Sequence, residues 1–276
     1  MQLGKPFACL LLYSAVLVTV VAASQDRLSG DATASMAPLS FTSGLIQGNK
    51  SAEGNALNPV SNNMNQKQQI HVVRIERDLA AKDIDDPLWS RAESVDIDRY
   101  WSGEPAPASR HAKAQLLWSG DALYVRFICA QKEPLVVSAT PKTDAKTLGL
   151  WDRDVAEIFI GPDLNQPERY YEFEAAPTGE WVDLSIRQLP EKRETDFEFH
   201  SGVSTASRIE GERVIMSMRI PWKVFGFVPR KGQQLAANLF RCIGDGPNRG
   251  YLAWSPTRTK EPNFHVPAAL GRLVFN

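Results

Sequence analysis

The stretch AKAQLLWSGDALYVRFICA, residues Ala112–Ala130, decides the fold class. Two runs rich in β-branched, aromatic and other apolar residues flank the tripeptide Ser-Gly-Asp. A Gly-containing tight turn between two such runs is typical of a β-hairpin. The second run also has a period of two, which places every other side chain on one face. That face is apolar and carries Leu123, Val125, Phe127 and Cys129.

The same pattern returns along the chain. RYYEFEAAP and WVDLSI flank Thr178-Gly179-Glu180, and RVIMSMRIP follows Glu210-Gly211-Glu212. No segment shows a sustained period of 3.6 residues, and the best helical candidate is a single turn at Pro221–Gly226. Many short strands joined by Gly and Pro turns predict an all-β fold, an antiparallel, jelly-roll-like β-sandwich with little helix.

The N-terminus has the pattern of an export signal. Lys5 precedes an apolar run, Phe7–Ala23, which ends in small residues at the spacing of a signal-peptidase site. We therefore predict a signal peptide over residues 1–23 and export to the periplasm, the cell surface or the medium, with no membrane insertion after cleavage. A retained signal anchor is the alternative, because about 17 apolar residues is the lower limit for spanning a bilayer.

Residues 24–69 differ from the rest of the chain in composition. They are rich in Ser, Asn, Gln, Ala and Gly, and their apolar residues follow no period. This composition predicts a disordered tether, followed by a folded domain over residues 70–276. The formal net charge of -1 on 276 residues gives no electrostatic footprint for nucleic acid or for an acidic membrane surface.

Two cysteines follow the predicted signal, Cys129 and Cys242, each within an apolar run. In an oxidising compartment they could pair. Two buried free thiols are the alternative. No CxxC motif or Cys/His cluster with the spacing of a metal site is present.

The sequence lacks the common catalytic motifs. It contains no GxSxG, Walker, GxGxxG or HExxH pattern, and its four histidines are scattered. Asp152, Asp154 and Glu157 form the densest acidic group, beside the start of a strand. A glycoside hydrolase needs two carboxyl groups astride the scissile bond. Turns and ion pairs are the commoner use of such a group.

Aromatic residues give a stronger signal. Of the seven tryptophans, Trp118 and Trp222 lie within apolar runs and are expected in the core. Trp151 and Phe264 stand among polar residues and are expected to be exposed. Sugars stack their C–H face on such rings and hydrogen-bond their hydroxyls to polar neighbours. The polar neighbours here are Asp152, Asp154, Asn263 and His265.

Seven blocks in order resemble the family 9 carbohydrate-binding-module-like domains. They are DIDDPLW (83–89), LLWSGDALYVRF (116–127), LWDRDVAEIFIGPD (150–163), YYEFEAAPTGEWVD (170–183), MRIPWKVFG (218–226), AANLFRC (236–242) and LAWSPT…NFHVPAALGRLVF (252–275). The resemblance covers nearly everything after the tether. It implies a β-sandwich that binds an oligosaccharide or polysaccharide.

The resemblance also implies roles for particular residues. Trp151 and Phe264 match the two aromatic positions that clamp a sugar. Asn238 and Arg241 match a block that supplies hydrogen bonds to the sugar, or they are buried partners of Glu157 and Glu172. The family's structural calcium suggests three ligands, with an ion-free acidic turn as the alternative: Asp83, Asp85 and Asp86.

Together these observations predict an exported, non-catalytic carbohydrate-binding protein that holds a sugar between Trp151 and Phe264. The first alternative is a glycoside hydrolase, or an accessory module of one in polysaccharide breakdown, with the chemistry at Asp152, Asp154 and Glu157. A haem sandwich with Met216 or Met218 and His265 as axial ligands is another. The last is an interaction domain that uses the two rings against a protein.

Overall fold

The computed structural model describes residues 67–276. Within that range the chain forms fourteen strands, which agrees with the many short strands predicted. They are β1 (Gln69–Arg74), β2 (Ser94–Ile97), β3 (Arg99–Tyr100), β4 (Ala112–Trp118), β5 (Ala122–Ala130), β6 (Val155–Gly161), β7 (Arg169–Ala175), β8 (Trp181–Gln188), β9 (Arg193–Asp196), β10 (Ser204–Glu210), β11 (Arg213–Pro221), β12 (Gln234–Ile243), β13 (Gly250–Ala253) and β14 (Gly271–Phe275).

Helical structure in residues 67–276 consists of short 3-10 turns. These are Pro87–Arg91, Ala108–Arg110, Leu150–Asp152, Trp222–Val224, Gly246–Asn248 and Pro267–Ala269. The turn predicted within Pro221–Gly226 is the fourth of them. In this part of the chain no helix has the length and apolarity needed to cross a membrane.

The strands form the two layers of a β-sandwich, as predicted. The first layer has the order β10-β11-β5-β4, with β2 beside β4. The second has the order β14-β12-β6-β7-β8-β9, with β13 beside β12 and β3 beside β13. The two predicted hairpins are present as the antiparallel pairs β4–β5 and β7–β8. The run predicted after Glu210-Gly211-Glu212 forms β11, which pairs in antiparallel fashion with β10.

Strand β1 joins the two layers, which the sequence did not predict. Its residues Gln69–Val72 pair in parallel with β14, and Val73 and Arg74 then pair in parallel with β4. The hydrogen-bonded sheet is therefore continuous and mixed, not purely antiparallel. A strand that leaves one layer for the other needs no turn, so no turn residue marks the change.

A large apolar core fills the space between the layers. Alternate residues of β5, β11 and β6 enter it, as the period of two predicted. Trp118 and Trp222 are both buried there, as expected. The indole Nε1 of Trp222 donates a hydrogen bond to the Ser119 carbonyl at 2.9 Å, which satisfies its polar atom inside the core.

A second apolar cluster covers the opposite face of the second layer. Because side chains alternate along β6, Ala156, Ile158 and Ile160 enter the main core, whereas Val155 and Phe159 join the second cluster. The two cysteines divide in the same way. Cys129 lies in the main core and Cys242 in the second cluster, and both are free thiols, so the disulfide alternative is wrong.

The N-terminal expectations are not tested by the structure. The predicted signal peptide, residues 1–23, and most of the predicted tether, residues 24–69, lie outside the described residues. The first strand begins at Gln69. The signal, the tether and the export that they imply stay predictions.

Candidate functional site

A pocket of about 290 Å³ opens on the outer face of the second layer. Strands β6, β7, β8 and β12 supply its floor, and loops before β6 and before β14 supply its walls. Five of the predicted site residues line it: Trp151, Asp152, Asn263, Phe264 and His265. Aromatic walls with a few polar groups are typical of ligand sites.

Trp151 lies on the 3-10 turn Leu150–Asp152, which begins after Gly149. Gly149 has a φ of 78°, a left-handed conformation that glycine adopts without steric cost. The Arg249 guanidinium fixes the turn by donating hydrogen bonds to the carbonyls of Trp151 and Arg153, at 2.5 and 2.8 Å. The indole is half-buried and Asp152 is exposed, so this turn presents a ring and a carboxylate at the pocket rim.

Phe264 forms part of the opposite wall, but it is more buried than predicted. Its side chain is 9 % exposed, because its ring stacks on Phe240 with centroids 4.0 Å apart and an angle of 13°. Tyr251 packs edge-on against the same ring at 6.0 Å. The expectation of an exposed ring is therefore wrong for Phe264, since one of its faces belongs to the second apolar cluster.

Asn263 and His265 shape the loop around Phe264. The Asn263 Oδ1 accepts a hydrogen bond from the His265 backbone N–H at 2.9 Å, and the Asn263 residue is exposed. The His265 Nδ1 lies 2.9 Å from the Tyr170 hydroxyl. Burial, followed by the charge of Arg193, lowers the pKa of His265 to about 3. The imidazole is therefore neutral at physiological pH.

The floor of the pocket contains buried carboxylates. Glu157 on β6 lies directly opposite Glu174 on β7, and Glu172 lies two residues before Glu174 on the same face. Glu157 and Glu172 line the pocket. Burial, followed by the charge of Glu172, raises the pKa of Glu157 to about 8. Burial and then the two neighbouring carboxylates raise the pKa of Glu174 well above its usual range.

Arg241 does not serve either role expected for it. In the sheet register Phe240 lies opposite Glu157, so Arg241 points to the other face of β12 and cannot pair with Glu157. Its guanidinium donates hydrogen bonds to the carbonyls of Arg110 and His111, both at 2.9 Å, and to a glutamine oxygen. It is a buried structural residue, 2 % exposed.

Asn238 and Asp154 are also structural. The Asn238 side chain is fully buried and exchanges two hydrogen bonds with the Ser255 backbone, at 2.7 and 2.9 Å. The Asp154 carboxylate is buried and accepts backbone N–H bonds from Gly244 at 2.8 Å and Val136 at 3.2 Å. Both side chains bind loop backbone instead of facing the pocket, so their prediction as sugar contacts is wrong.

The structure divides the acidic group of the glycoside-hydrolase alternative. Asp152 and Glu157 both line the pocket, whereas the Asp154 carboxylate binds loop backbone away from it. The proposed haem ligands are also separated. Met216 and Met218 lie in the main core between the layers, whereas His265 lines the pocket on the outer face.

The aspartates considered for calcium each have another partner. Asp83 accepts a hydrogen bond from the Ala80 backbone N–H at 2.8 Å. Asp85 pairs with Arg208, and Asp86 pairs with Arg77 and caps the 3-10 turn that starts at Pro87. These hydrogen bonds and ion pairs hold the segment as a turn, and calcium binding by the three aspartates stays a prediction.

Several parts of the pocket region were not predicted from the sequence, among them Arg193, Thr195 and Phe197 on and after β9. Tyr251 on β13 is a lining residue, and Glu174 completes the carboxylate group beneath the floor. The alternation Tyr170, Glu172, Glu174 in one strand signals that these side chains share a face. Their meeting with Glu157 depends on the β6–β7 register, which the intervening loop does not specify.

These features define a β-sandwich with an aromatic-walled, acid-floored pocket on one outer face. The sequence from residue 83 to residue 276 matches the family model described as carbohydrate family 9 binding domain-like. The chain belongs to this family, as the sequence blocks predicted. No curated protein matches the chain.

Solved structures support the same fold. A Bacteroides uniformis protein provisionally assigned as carbohydrate-binding has 19% identity and a TM-score of 0.62, covering 76% of this chain and 100% of its own. A family 9 carbohydrate-binding module from Caldicellulosiruptor kristjanssonii in complex with glucose has 16% identity and a TM-score of 0.54, covering 76% and 96%. Its complex with cellotriose has 16% identity and a TM-score of 0.53, covering 75% and 93%.

Proposed function

We propose that this protein binds carbohydrate, without catalysing a reaction on it, at the pocket between Trp151 and Phe264. The observation that carries the proposal is that these two rings, from distant segments, line one pocket whose rim also holds the exposed groups of Asp152 and Asn263. Family membership and the sugar complexes of the Caldicellulosiruptor module support it.

The geometry suggests unequal roles for the two rings. The half-buried indole of Trp151 offers a face to the C–H surface of a pyranose. Phe264, one face of which is stacked on Phe240, acts as the opposing apolar wall. Asp152 and Asn263 would hydrogen-bond the sugar hydroxyls at the rim. The ligand is an oligosaccharide or the end of a polysaccharide, and the predicted export would bring the protein to such ligands.

The test is calorimetric binding of glucose, cellotriose and xylotriose to the wild type and to Trp151→Ala. Loss of a stacking ring is expected to weaken binding by about 1 to 3 kcal/mol, on the scale of base stacking on aromatic side chains. Trp181→Ala is the matched control, because Trp181 is also half-buried but packs on the main core. Equal affinities of the Trp151→Ala variant and the wild type would contradict the proposal.

Hydrolysis is checked with the same sugars. A binding protein leaves the chain length of each oligosaccharide unchanged after prolonged incubation, as measured by chromatography. Shortened products that disappear in Glu157→Gln would instead identify a glycoside hydrolase at the pocket floor.

A further inference from the structure

Three acidic side chains meet beneath the pocket. One oxygen from each of Glu157, Glu172 and Glu174 lies within 4.8 Å of the others. All three side chains are buried, and Glu174 is only 1 % exposed. Both oxygens of Glu174 and one of Glu172 have no hydrogen-bond partner among the described residues. Without a cation, burial and mutual repulsion keep protons on these carboxyl groups, as the raised pKa values of Glu157 and Glu174 indicate. A divalent cation that displaced the protons would give the orphaned oxygens a partner.

The neighbouring cations do not pair directly with the three side chains. Arg193 lines the pocket, and its charge acts on Glu172 without forming an ion pair with it. Among residues 67–276, no lysine or arginine forms an ion pair with any of the three carboxylates. Arg249 is committed to backbone carbonyls of the loops around Trp151. Cys242 donates its thiol hydrogen to Glu157 at 3.3 Å, which satisfies one oxygen and adds no charge. The His265 Nε2 lies 4.0 Å from Glu172, beyond hydrogen-bond range.

We propose that Glu157, Glu172 and Glu174 bind one hard divalent cation, of the Ca²⁺ class, beneath the pocket. Ca²⁺ binds oxygen ligands at about 2.3 to 2.6 Å, so two ligands on opposite sides of the ion are roughly 4.6 to 5.2 Å apart. The separation of the three carboxylate oxygens is within that span. One ion can therefore contact all three side chains.

The ion would also face the ligand pocket. Three carboxylates supply three to six oxygens, whereas Ca²⁺ takes about 6 to 8. Glu157 and Glu172 line the pocket, so the remaining coordination positions open toward it, where water or a hydroxyl pair of a bound sugar can fill them. The cation site goes beyond the proposed sugar binding and does not depend on it.

The experiment is a titration of the full-length protein with Ca²⁺ after removal of metals by EDTA and dialysis, in the absence of sugar. We expect calorimetry to show one ion per chain and Ca²⁺ to raise the melting temperature. Glu174→Gln should weaken Ca²⁺ binding at least tenfold. In EDTA the same variant should melt at or above the wild-type temperature, because it replaces a carboxyl group that burial disfavours in its charged form by a neutral amide of the same shape.

Glu180→Gln is the matched control. Glu180 is a buried acid close to the second layer, but it pairs with Arg153, so its variant should keep the full Ca²⁺ response. Absence of Ca²⁺, Mg²⁺ and Mn²⁺ binding at millimolar concentration would overturn the proposal, as would unchanged Ca²⁺ affinity in Glu174→Gln. Binding of Zn²⁺ alone, lost in Cys242→Ser, would overturn the assignment to a hard cation.

Sugar titrations of the same samples separate this proposal from the proposed function. Sugar binding with no Ca²⁺ binding would overturn the cation site only. Ca²⁺ binding that requires Glu174, with no sugar bound, would support the cation site and contradict the sugar-binding function.

Discussion

Replacing Phe264 with alanine tests whether this residue belongs to the core as much as to the pocket. The ring is 9 % exposed and stacks on Phe240 at 4.0 Å. Truncating a buried phenylalanine costs about 3 to 5 kcal/mol. We expect the lower end, about 3 kcal/mol, because Phe264 lies in a loop that can partly close over the cavity.

Urea unfolding followed by tryptophan fluorescence measures this loss. For a folded domain of this size, about 3 kcal/mol corresponds to a drop of roughly 6 to 12 °C in melting temperature. Phe264→Leu is the control, because it keeps most of the apolar volume and should cost below about 1.5 kcal/mol. A loss below about 1 kcal/mol in Phe264→Ala, together with abolished sugar binding, would refute the reasoning and restore Phe264 as an exposed stacking ring.

Three further predictions concern stability. Lys146→Met should lower the free energy of unfolding in urea by about 3 to 5 kcal/mol, because it removes the cation that pairs with Asp183, which is fully buried and 2.8 Å from the lysine Nζ. The Lys146→Met/Asp183→Asn double variant should recover part of the loss. Full stability of the single variant would contradict this prediction. Gly271→Ala should cost about 1 to 3 kcal/mol, because a Cβ there would lie 2.5 Å from the Trp254 ring and 2.7 Å from the Gln68 carbonyl. Gly120→Ala, with open space around it and no positive φ, should cost less. Burial and then Asp78 raise the pKa of Tyr124 to about 12, above its usual 10, so the folded state keeps this proton to higher pH than the unfolded state. Its contribution to stability is complete below pH 10 and is lost as the pH rises through 12. Ultraviolet titration should show a late phenolate that Tyr124→Phe removes, while Tyr170, whose pKa is also raised by burial, still ionises late.

The layered β-structure could be predicted because its signals are local. A Gly-containing turn between Trp118 and Ala122 and the alternation along each run determine the β4–β5 hairpin without reference to the rest of the chain. The same holds for the β7–β8 hairpin. Strand β1 could not be placed in this way, since its parallel partners are β14 and β4, and parallel pairing has no turn signature.

The site was only partly predictable, because it too depends on contacts between segments that are distant in the sequence. Trp151 and Phe264 were found from their polar surroundings and from the family blocks, and both line the pocket. The burial of Phe264 was missed because its stacking partner, Phe240, comes from another part of the chain. The sequence alone does not give the β12–β6 register, so it allowed a pairing of Arg241 with Glu157. In the structure that register places the two residues on opposite faces of the sheet.

The position of β1 has a mechanical consequence. It runs parallel to its neighbour β14, and Asn276, just after β14, also donates a backbone hydrogen bond to Val72 at 3.0 Å. A pulling force applied at Gln69 and at Asn276 would act in opposite directions along these adjacent strands. The load would then fall on their cross-strand bonds in shear, so that several must break together instead of unzipping one by one.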